Sequence, residues 1–329
     1  MTVSAQDTRT GRVVALCGGI GGAKLALGLS KVITDERLII AVNTGDDFDH
    51  LGLHISPDVD TVTYTLAGVA NPETGWGRAE ETWNFMKSLE TLGGETWFQL
   101  GDKDLATHVE RTRRLREGEC LSTITEDFCK RLGIAVRILP MSEDPVRTHV
   151  DTSAGPMPFQ NYFVERRCEP EIESIRFEGA ESAGVQSDIS MALKHPDLRC
   201  VIVCPSNPYL SVDPMLAVGG MRQMLQGTDA PVVAVSPLVG GKAVKGPMDK
   251  VMSELGHTLS HATIADHYNG LIDGLVVDSA DSQIPDRVAV AVENTMMHSL
   301  DDKMNLARTV LAFADEISAR RPMQHERSA

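Results

Sequence analysis

The 329-residue chain carries 31 Lys and Arg against 46 Asp and Glu, a net charge of −15 at pH 7. Such a surface repels phosphodiester backbones and anionic lipid, which argues against nucleic-acid and membrane partners. An anionic small substrate then needs backbone amides, lysines or a metal. A hydrophobic fraction of 42%, with 28 glycines besides, suffices for a packed core without disulfides and excludes extended disorder.

Residues 1–11 read as a polar tail, followed by the apolar strand RVVALC (12–17). Arg9 and Arg12 ahead of this run imitate a signal peptide. Lys24 interrupts it, however, and no stretch reaches the ~18 residues of a membrane span. The helix after Gly22 carries an apolar stripe at Leu25, Leu29, Val32 and Ile33, and LIIAV (38–42) is a second buried strand. This is a βαβ unit and the start of a parallel sheet. Residues 60–135 are expected to be mainly helical, with WFQLG (97–101) as an interrupting strand, and VRILP (136–140) returns to strand. THVDT, QNYFVER and IESIRFEG then predict a small β-rich insert over 145–185. From RCVIVCP onward the alternation resumes: a helix at VDPMLAVGGMRQMLQ, strand PVVAVSP, loop VGGKAVKGP, helices PMDKVMSELG and HATIADHYNG, strands LIDGLVVD and DRVAVAVENT, and a final helix from 300 to about 320. Residues 321–329 form a second polar tail.

The pattern predicts an α/β, doubly wound, mostly parallel Rossmann-like sheet with a helical block and a small β-rich insert. Its nucleotide-binding core is discontinuous, 12–144 and 186–320, with the insert at 145–185. The six cysteines contain no CxxC pair, which suits reduced thiols and a cytoplasmic location. Ligands of such folds bind outside the C-terminal ends of the strands, which points to four loops.

The first is Gly18-Gly19-Ile20-Gly21-Gly22-Ala23-Lys24. It matches neither a Walker A loop nor a clean GxGxxG, so it reads as a generic anion cradle or as a tight packing turn. The second holds five aspartates, Asp46, Asp47, Asp49, Asp58 and Asp60, within 15 positions. Carboxylates at strand ends suit Mg²⁺, while Asp58 or Asp60 also suits an N-cap. His50 and His54 read as polar wall residues. The third is Pro205-Ser206-Asn207-Pro208, a fixed turn able to read a nucleobase edge. The fourth, Ser236 to Pro247, carries Gly240, Gly241, Lys242, Lys245 and Gly246 and reads as a second anion site or a solvated loop. Asp104 reads as a helix cap, with Lys103 solvated beside it. Trp76, Trp83 and Trp97 fall within 22 positions, and one of them at a cleft can stack on a planar heterocycle.

Nine segments in order carry a resemblance: GGIGGAKLALGL, VNTGDD, ISPDVDTVTYTLAG, GWG, LGDKDLATH, LPMSEDPVRTHV, FQNYFVER, PSNPYLSVDPML and VVAVSPLVGGKAVKGP. Together they resemble the 2-phospho-L-lactate transferases (the CofD/FbiA family) of coenzyme F420 biosynthesis, over residues from about 13 to 320. The resemblance implies transfer of a phospho-acid group from a guanosine-diphosphate-linked donor to the terminal hydroxyl of the deazaflavin Fo, releasing GMP and forming F420-0 or an analogue. The acid is phospholactate or its enolpyruvyl or phosphoglyceryl equivalent.

On this resemblance, Asp60 and Asp46 are the catalytic residues, and Asp46, Asp47 and Asp60 hold Mg²⁺. Gly18, Gly19, Gly21, Gly22, Lys24, Ser206, Asn207, Lys245 and Gly246 take the donor diphosphate and guanosine. Asp60, Lys103 and Trp76 face the deazaflavin. Lys103 stands where some members carry Arg and lacks its bidentate fork. A homodimer is the implied assembly. The alternative is a non-enzymatic nucleotide-sugar-binding regulator of the YvcK type with the same fold. A dehydrogenase is disfavoured by the imperfect glycine motif, and a pure interaction module by the glycine and acidic loops at successive strand ends.

Overall fold

The computed structural model describes Asp7 and residues 9–244, 246–281 and 283–320. Seven strands build the central sheet: β1 (Arg12–Cys17), β2 (Leu38–Val42), β3 (Arg137–Pro140), β4 (Leu198–Val203), β5 (Val232–Val235), β6 (Gly274–Asp278) and β7 (Ala289–Glu293). They lie in the order β7-β6-β5-β4-β1-β2-β3, and every neighbouring pair is parallel. This is the doubly wound Rossmann-like arrangement, with its switch point between β1 and β4.

Alternation along the strands sets the two faces. Val14, Leu16, Ile39, Val201 and Ala234 join one hydrophobic cluster, while Val13, Ala15, Ile40, Ile202 and Val233 join the other. The second face is covered by the helices Gly19–Val32 and Leu300–Arg320. These two helices approach closely at Gly28, where a Cβ would stand 2.1 Å from the Lys303 carbonyl oxygen. The first face is covered by Ser187–Leu193, Met248–Glu254 and His261–His267.

The 145–185 segment forms a three-stranded antiparallel sheet of Arg147–Thr152 between Gly155–Pro158 and Ile172–Glu178. Its Val150, Phe159, Tyr162 and Ile172 share one hydrophobic cluster with the central sheet.

Several local expectations change. Residues 97–101 form no strand: Trp97 and Phe98 sit in a bend and pack edge-on against Phe48 and His50 instead. QNYFVER is not extended but makes a π-helical turn at Asn161–Glu165. The single helix expected after Val212 is broken between Ala217 and Met221: Val218 turns out of the helix, and Gly220, at φ +87°, stands before the second piece, Met221–Gln226. Loop 238–243 folds as a two-residue hairpin pair. Residues 321–329 lie outside the described residues, as do 1–6 and Thr8. Within the N-terminal tail, Asp7 is tied to the body by Arg199 at 2.6 Å. Among the described residues no helix is long and apolar enough to cross a membrane.

Candidate active site

A cavity of about 720 Å³ opens at the C-terminal ends of β1, β4 and β5. Gly18, Gly19, Gly21 and Lys24 line it from the first loop, Ser206 and Asn207 from the third, and Gly246 from the fourth. Asp46, Asp60 and Trp76 line it as well. Three of the residues expected at the site do not. Gly22 is buried behind the loop, Lys103 points to the Ala79 carbonyl at 3.1 Å, and Asp47 lines an adjoining cavity that shares Asp46. Lys245 lies outside the described residues.

The glycine loop is shaped mainly by the protein itself. A Cβ on Gly21 would stand 2.4 Å from the Pro205 carbonyl oxygen, whereas Gly19, at φ +63°, has open space where its side chain would be. The turn therefore needs Gly21 for close approach to the β4 loop and Gly19 for its left-handed backbone. Ser206 Oγ accepts the Gly18 N–H at 3.1 Å and donates to the Gly18 carbonyl at 2.7 Å. It clamps the two loops across the switch point, and its hydroxyl is not the free nucleobase reader expected from sequence. Asn207 Oδ1 accepts the amides of Tyr209 and Leu210, so only its amino group remains for a ligand.

The acidic floor divides into two groups. In one, Asp58 Oδ1 accepts the Gly19 N–H at 2.8 Å, and its Oδ2 accepts from Asn43 at 3.0 Å. Asp58 thus serves the first turn of the helix Gly19–Val32 rather than capping its own. The helix Pro57–Ala67 has Ser56 at its N-cap position and no side-chain cap. Burial pushes the Asp58 carboxyl up to about 6. Burial, with Asp58 and Asp47 beside it, raises Asp46 well above the usual carboxylate range. Asp47 accepts from Ser56 Oγ at 2.8 Å, but its Oδ1 is buried without a partner among the described residues.

In the other group, both Asp60 oxygens accept from the buried Arg111 guanidinium, Nη1 to Oδ2 at 3.0 Å. Burial raises the Asp60 carboxyl and Arg111 opposes it. His108 Nδ1 lies 3.7 Å from Asp60 Oδ2, and its Nε2 lies 3.3 Å from Asp104 Oδ2. Burial alone would raise Asp104, but the His108 ring holds it below its ordinary value. Tyr64 donates to Asp104 at 2.6 Å. Asp104 is therefore a member of this network. The cap of the helix Asp102–Arg116 comes instead from Glu81, which accepts the Lys103 and Asp104 amides at 2.8 Å each.

Asp60, Asp104 and His108 are the one group among the described residues whose potential ligand atoms converge within 4.8 Å. Asp46 and Asp47 do not join Asp60 in such a group. Arg111 was not legible as a site residue, its only signal being the polar run ATHVERTRR on a helix that looks solvated, whereas His108 stands out in the sequence only as a histidine in the charged segment LGDKDLATH at a strand-to-helix junction.

The opposite wall is aromatic. Phe159 and Phe163 stack with centroids 5.4 Å apart, and Trp97 and Phe98 lie nearby. Trp76, 49% exposed, stands at the lip. A tricyclic heterocycle suits such a wall, and a charged chain suits the acidic and amide-lined floor.

The sequence profile described as 2-phospho-L-lactate transferase CofD matches residues 13–315. A Streptomyces coelicolor protein named phosphoenolpyruvate transferase is 40% identical over 317 residues, spanning 93% of this chain and 99% of its own. A 2-phospho-L-lactate transferase of Methanocaldococcus jannaschii is 36% identical over 311 residues, covering 93% and 99%. The fold is also that of a UPF0052-family protein from Bacillus halodurans, with a TM-score of 0.59, 13% identity, and coverage of 93% of this chain and 100% of that one. The chain belongs to the 2-phospho-L-lactate transferase CofD family.

Proposed function

We propose that the protein transfers a phosphoenolpyruvyl group from a guanosine-diphosphate-linked donor to the terminal hydroxyl of the deazaflavin Fo, with release of GMP. The observation that carries this reading is one cavity joining an amide- and carboxylate-lined floor to an aromatic wall, in a chain 40% identical to a phosphoenolpyruvate transferase. The greater identity to that relative than to the archaeal phospholactate enzyme, 40% against 36%, favours the enolpyruvyl donor.

The residues fit a magnesium ion. Asp47 Oδ1 is buried without a partner among the described residues, and burial penalises negative charge on the neighbouring Asp46 and Asp58, which a cation would offset. These are hard oxygen donors. Asp46 and Asp47, with Asp58 beside them, would hold the ion, which when bound supplies positive charge against the donor phosphates.

The protein's own residues do the rest. Gly19 and Lys24 face the diphosphate, and the Asn207 amino group faces the guanine. Trp76 and the aromatic wall take the deazaflavin. Lys103, turned toward Ala79 and Glu80, contributes through the loop that carries Trp76. Asp60, fixed by Arg111, accepts the hydrogen bond of the attacking hydroxyl; an ionised carboxylate has lone pairs beyond those Arg111 uses. The Fo hydroxyl oxygen forms the new P–O bond as the P–O bond to GMP breaks, its proton passing to Asp60 and the bonding electrons leaving with the GMP phosphate, so positioning and electrostatics supply most of the rate. We take the working unit as a cytoplasmic homodimer, tested by light scattering.

The test of the transfer is product mass. Purified protein, Fo and Mg²⁺ are mixed with the guanylylated derivative of phosphoenolpyruvate, phospholactate or phosphoglycerate. LC–MS should show GMP and the dehydro product from the first donor at the highest rate. No deazaflavin product from any donor overturns the reading.

A further inference from the structure

Starting from Ser236 on the cavity wall, three buried side chains from separate segments form a chain leading away from the site. Ser236 follows β5, His261 opens the helix His261–His267, and Asp281 follows β6. Ser236 and His261 are 1% and 3% exposed, and the Asp281 side chain is 7% exposed. His261 Nδ1 is 2.9 Å from Ser236 Oγ. Its Nε2, otherwise without a partner among the described residues, lies 3.0 Å from Asp281 Oδ2. Asp281 then reaches the fourth loop: Oδ2 accepts the Gly240 N–H at 3.1 Å and Oδ1 the Gly241 N–H at 2.7 Å.

Gly240 and Gly241 have φ of +59° and +70°. Two successive amides in this conformation form a concave anion cradle. The sequence suggests that this cradle is for substrate, but Asp281 already fills it. Both Asp281 oxygens are engaged, and neither Asp281 nor His261 lines the cavity. Ser236, Val239, Ala243 and Met248 do. The carboxylate therefore acts on the cavity only through the loop it holds.

We propose that Asp281, braced by His261 and Ser236, is a positioning residue that sets the donor-side wall of the active site. The inference rests on the transfer reading above. The amides fixed by Asp281 belong to the turn between Leu238–Val239 and Lys242–Ala243, and Val239 and Ala243 of this hairpin line the cavity with Gly246, which the resemblance assigns to the donor. An asparagine, in either amide orientation, would set an NH₂ group against the Gly240 or the Gly241 N–H, two donors facing each other.

The experiment is steady-state kinetics of Asp281→Asn, Asp281→Glu and Ser236→Ala, with donor and Fo varied separately. Asp281→Asn is expected to raise the donor KM at least 10-fold. The KM for Fo and kcat should change less than 3-fold, and Asp281→Glu should recover part of the loss. Ser236→Ala, which keeps Asp281 on the loop but removes its brace, should raise the donor KM about 3-fold and serves if Asp281→Asn does not fold.

A donor KM within 2-fold of wild type in the folded variants overturns the proposal. So does a uniform loss of kcat and both KM values without recovery in Asp281→Glu, which marks a purely structural role. Absence of product from the wild type instead refutes the transfer reading, so the two failures are distinguishable.

Discussion

Replacing Arg111 by Leu should expose the cost of the most deeply buried charge at the site. Arg111 is 2% exposed and engages both oxygens of Asp60, itself 6% exposed. Among the described residues, the other cationic candidate near that carboxylate is His108 Nδ1 at 3.7 Å. Removing one partner of a buried pair leaves the other uncompensated and costs about 3–5 kcal/mol. With an unfolding entropy of about 2.1 cal/mol/K per residue, 329 residues give about 0.7 kcal/mol/K, so a 4 kcal/mol loss lowers Tm by about 6 °C. The double variant Asp60→Asn/Arg111→Leu, which no longer buries a charge, should therefore regain at least half of that loss.

The deficit also has a pH signature. Without Arg111, the folded-state value of Asp60 rises further above its unfolded value. Its proton is then held more tightly in the folded state, and stability returns as pH falls. Calorimetry at pH 7.5 and pH 5.5 should show the gap to wild type narrowing at the lower pH. A Tm loss under 2 °C at pH 7.5 with Asp60 intact, or a double variant no better than the single, would refute this account of the pair.

Four further outcomes are expected. Gly28→Ala should destabilise by about 1–3 kcal/mol, because the new Cβ meets the Lys303 backbone oxygen at 2.1 Å and the two helices must part; chemical denaturation reads this as a lower midpoint. For Asp58, burial puts the folded value near 6, above the unfolded one. Its contribution therefore favours the fold as pH drops from 7.5 through 6, and Asp58→Asn should flatten this part of the metal-free stability profile. Mg²⁺ should raise Tm more at pH 7.5 than at 5.5 in the wild type, since it competes with protons for the same carboxylates; equal shifts at both values would count against these ligands. Trp76→Ala, at the exposed lip, should leave Tm within 1 °C of wild type while raising the KM for Fo about 2- to 12-fold, the equivalent of roughly 0.5–1.5 kcal/mol of aromatic contact.

The strands and the loops at their ends were legible because their signals are local. RVVALC and LIIAV announce buried parallel strands, and glycines after the first announce a turn. What could not be read was which protein atoms those loops would meet. Ser206 looked like a ligand reader, yet its hydroxyl closes on Gly18, 188 positions earlier. The Gly240–Gly241 amides looked open, yet Asp281, about 40 positions downstream, fills them. Asp60 looked like one of several metal-binding acids, until Arg111 from another helix claimed both its oxygens. Nor did Trp97 and Phe98 make the strand that their β-propensity suggested. Once Phe48 and His50 supplied an aromatic cluster, packing decided their conformation.

The close approach of Gly28 to Lys303 joins the first helix to the last across nearly the whole chain. The same is true of β1, whose two neighbours come from opposite halves of the sequence: β2 from just downstream and β4 from beyond residue 197. A nascent chain released from the ribosome up to β3 therefore presents β1 with one side unpaired and the inner face of its helix uncovered. Long-range parallel pairing of this kind closes large loops before it gains contacts, so folding is slow and late. The binding cleft, built on the seam between β1 and β4, can form only after synthesis of the second half. Truncations that remove the last helix should accumulate as aggregation-prone intermediates rather than as a smaller working enzyme.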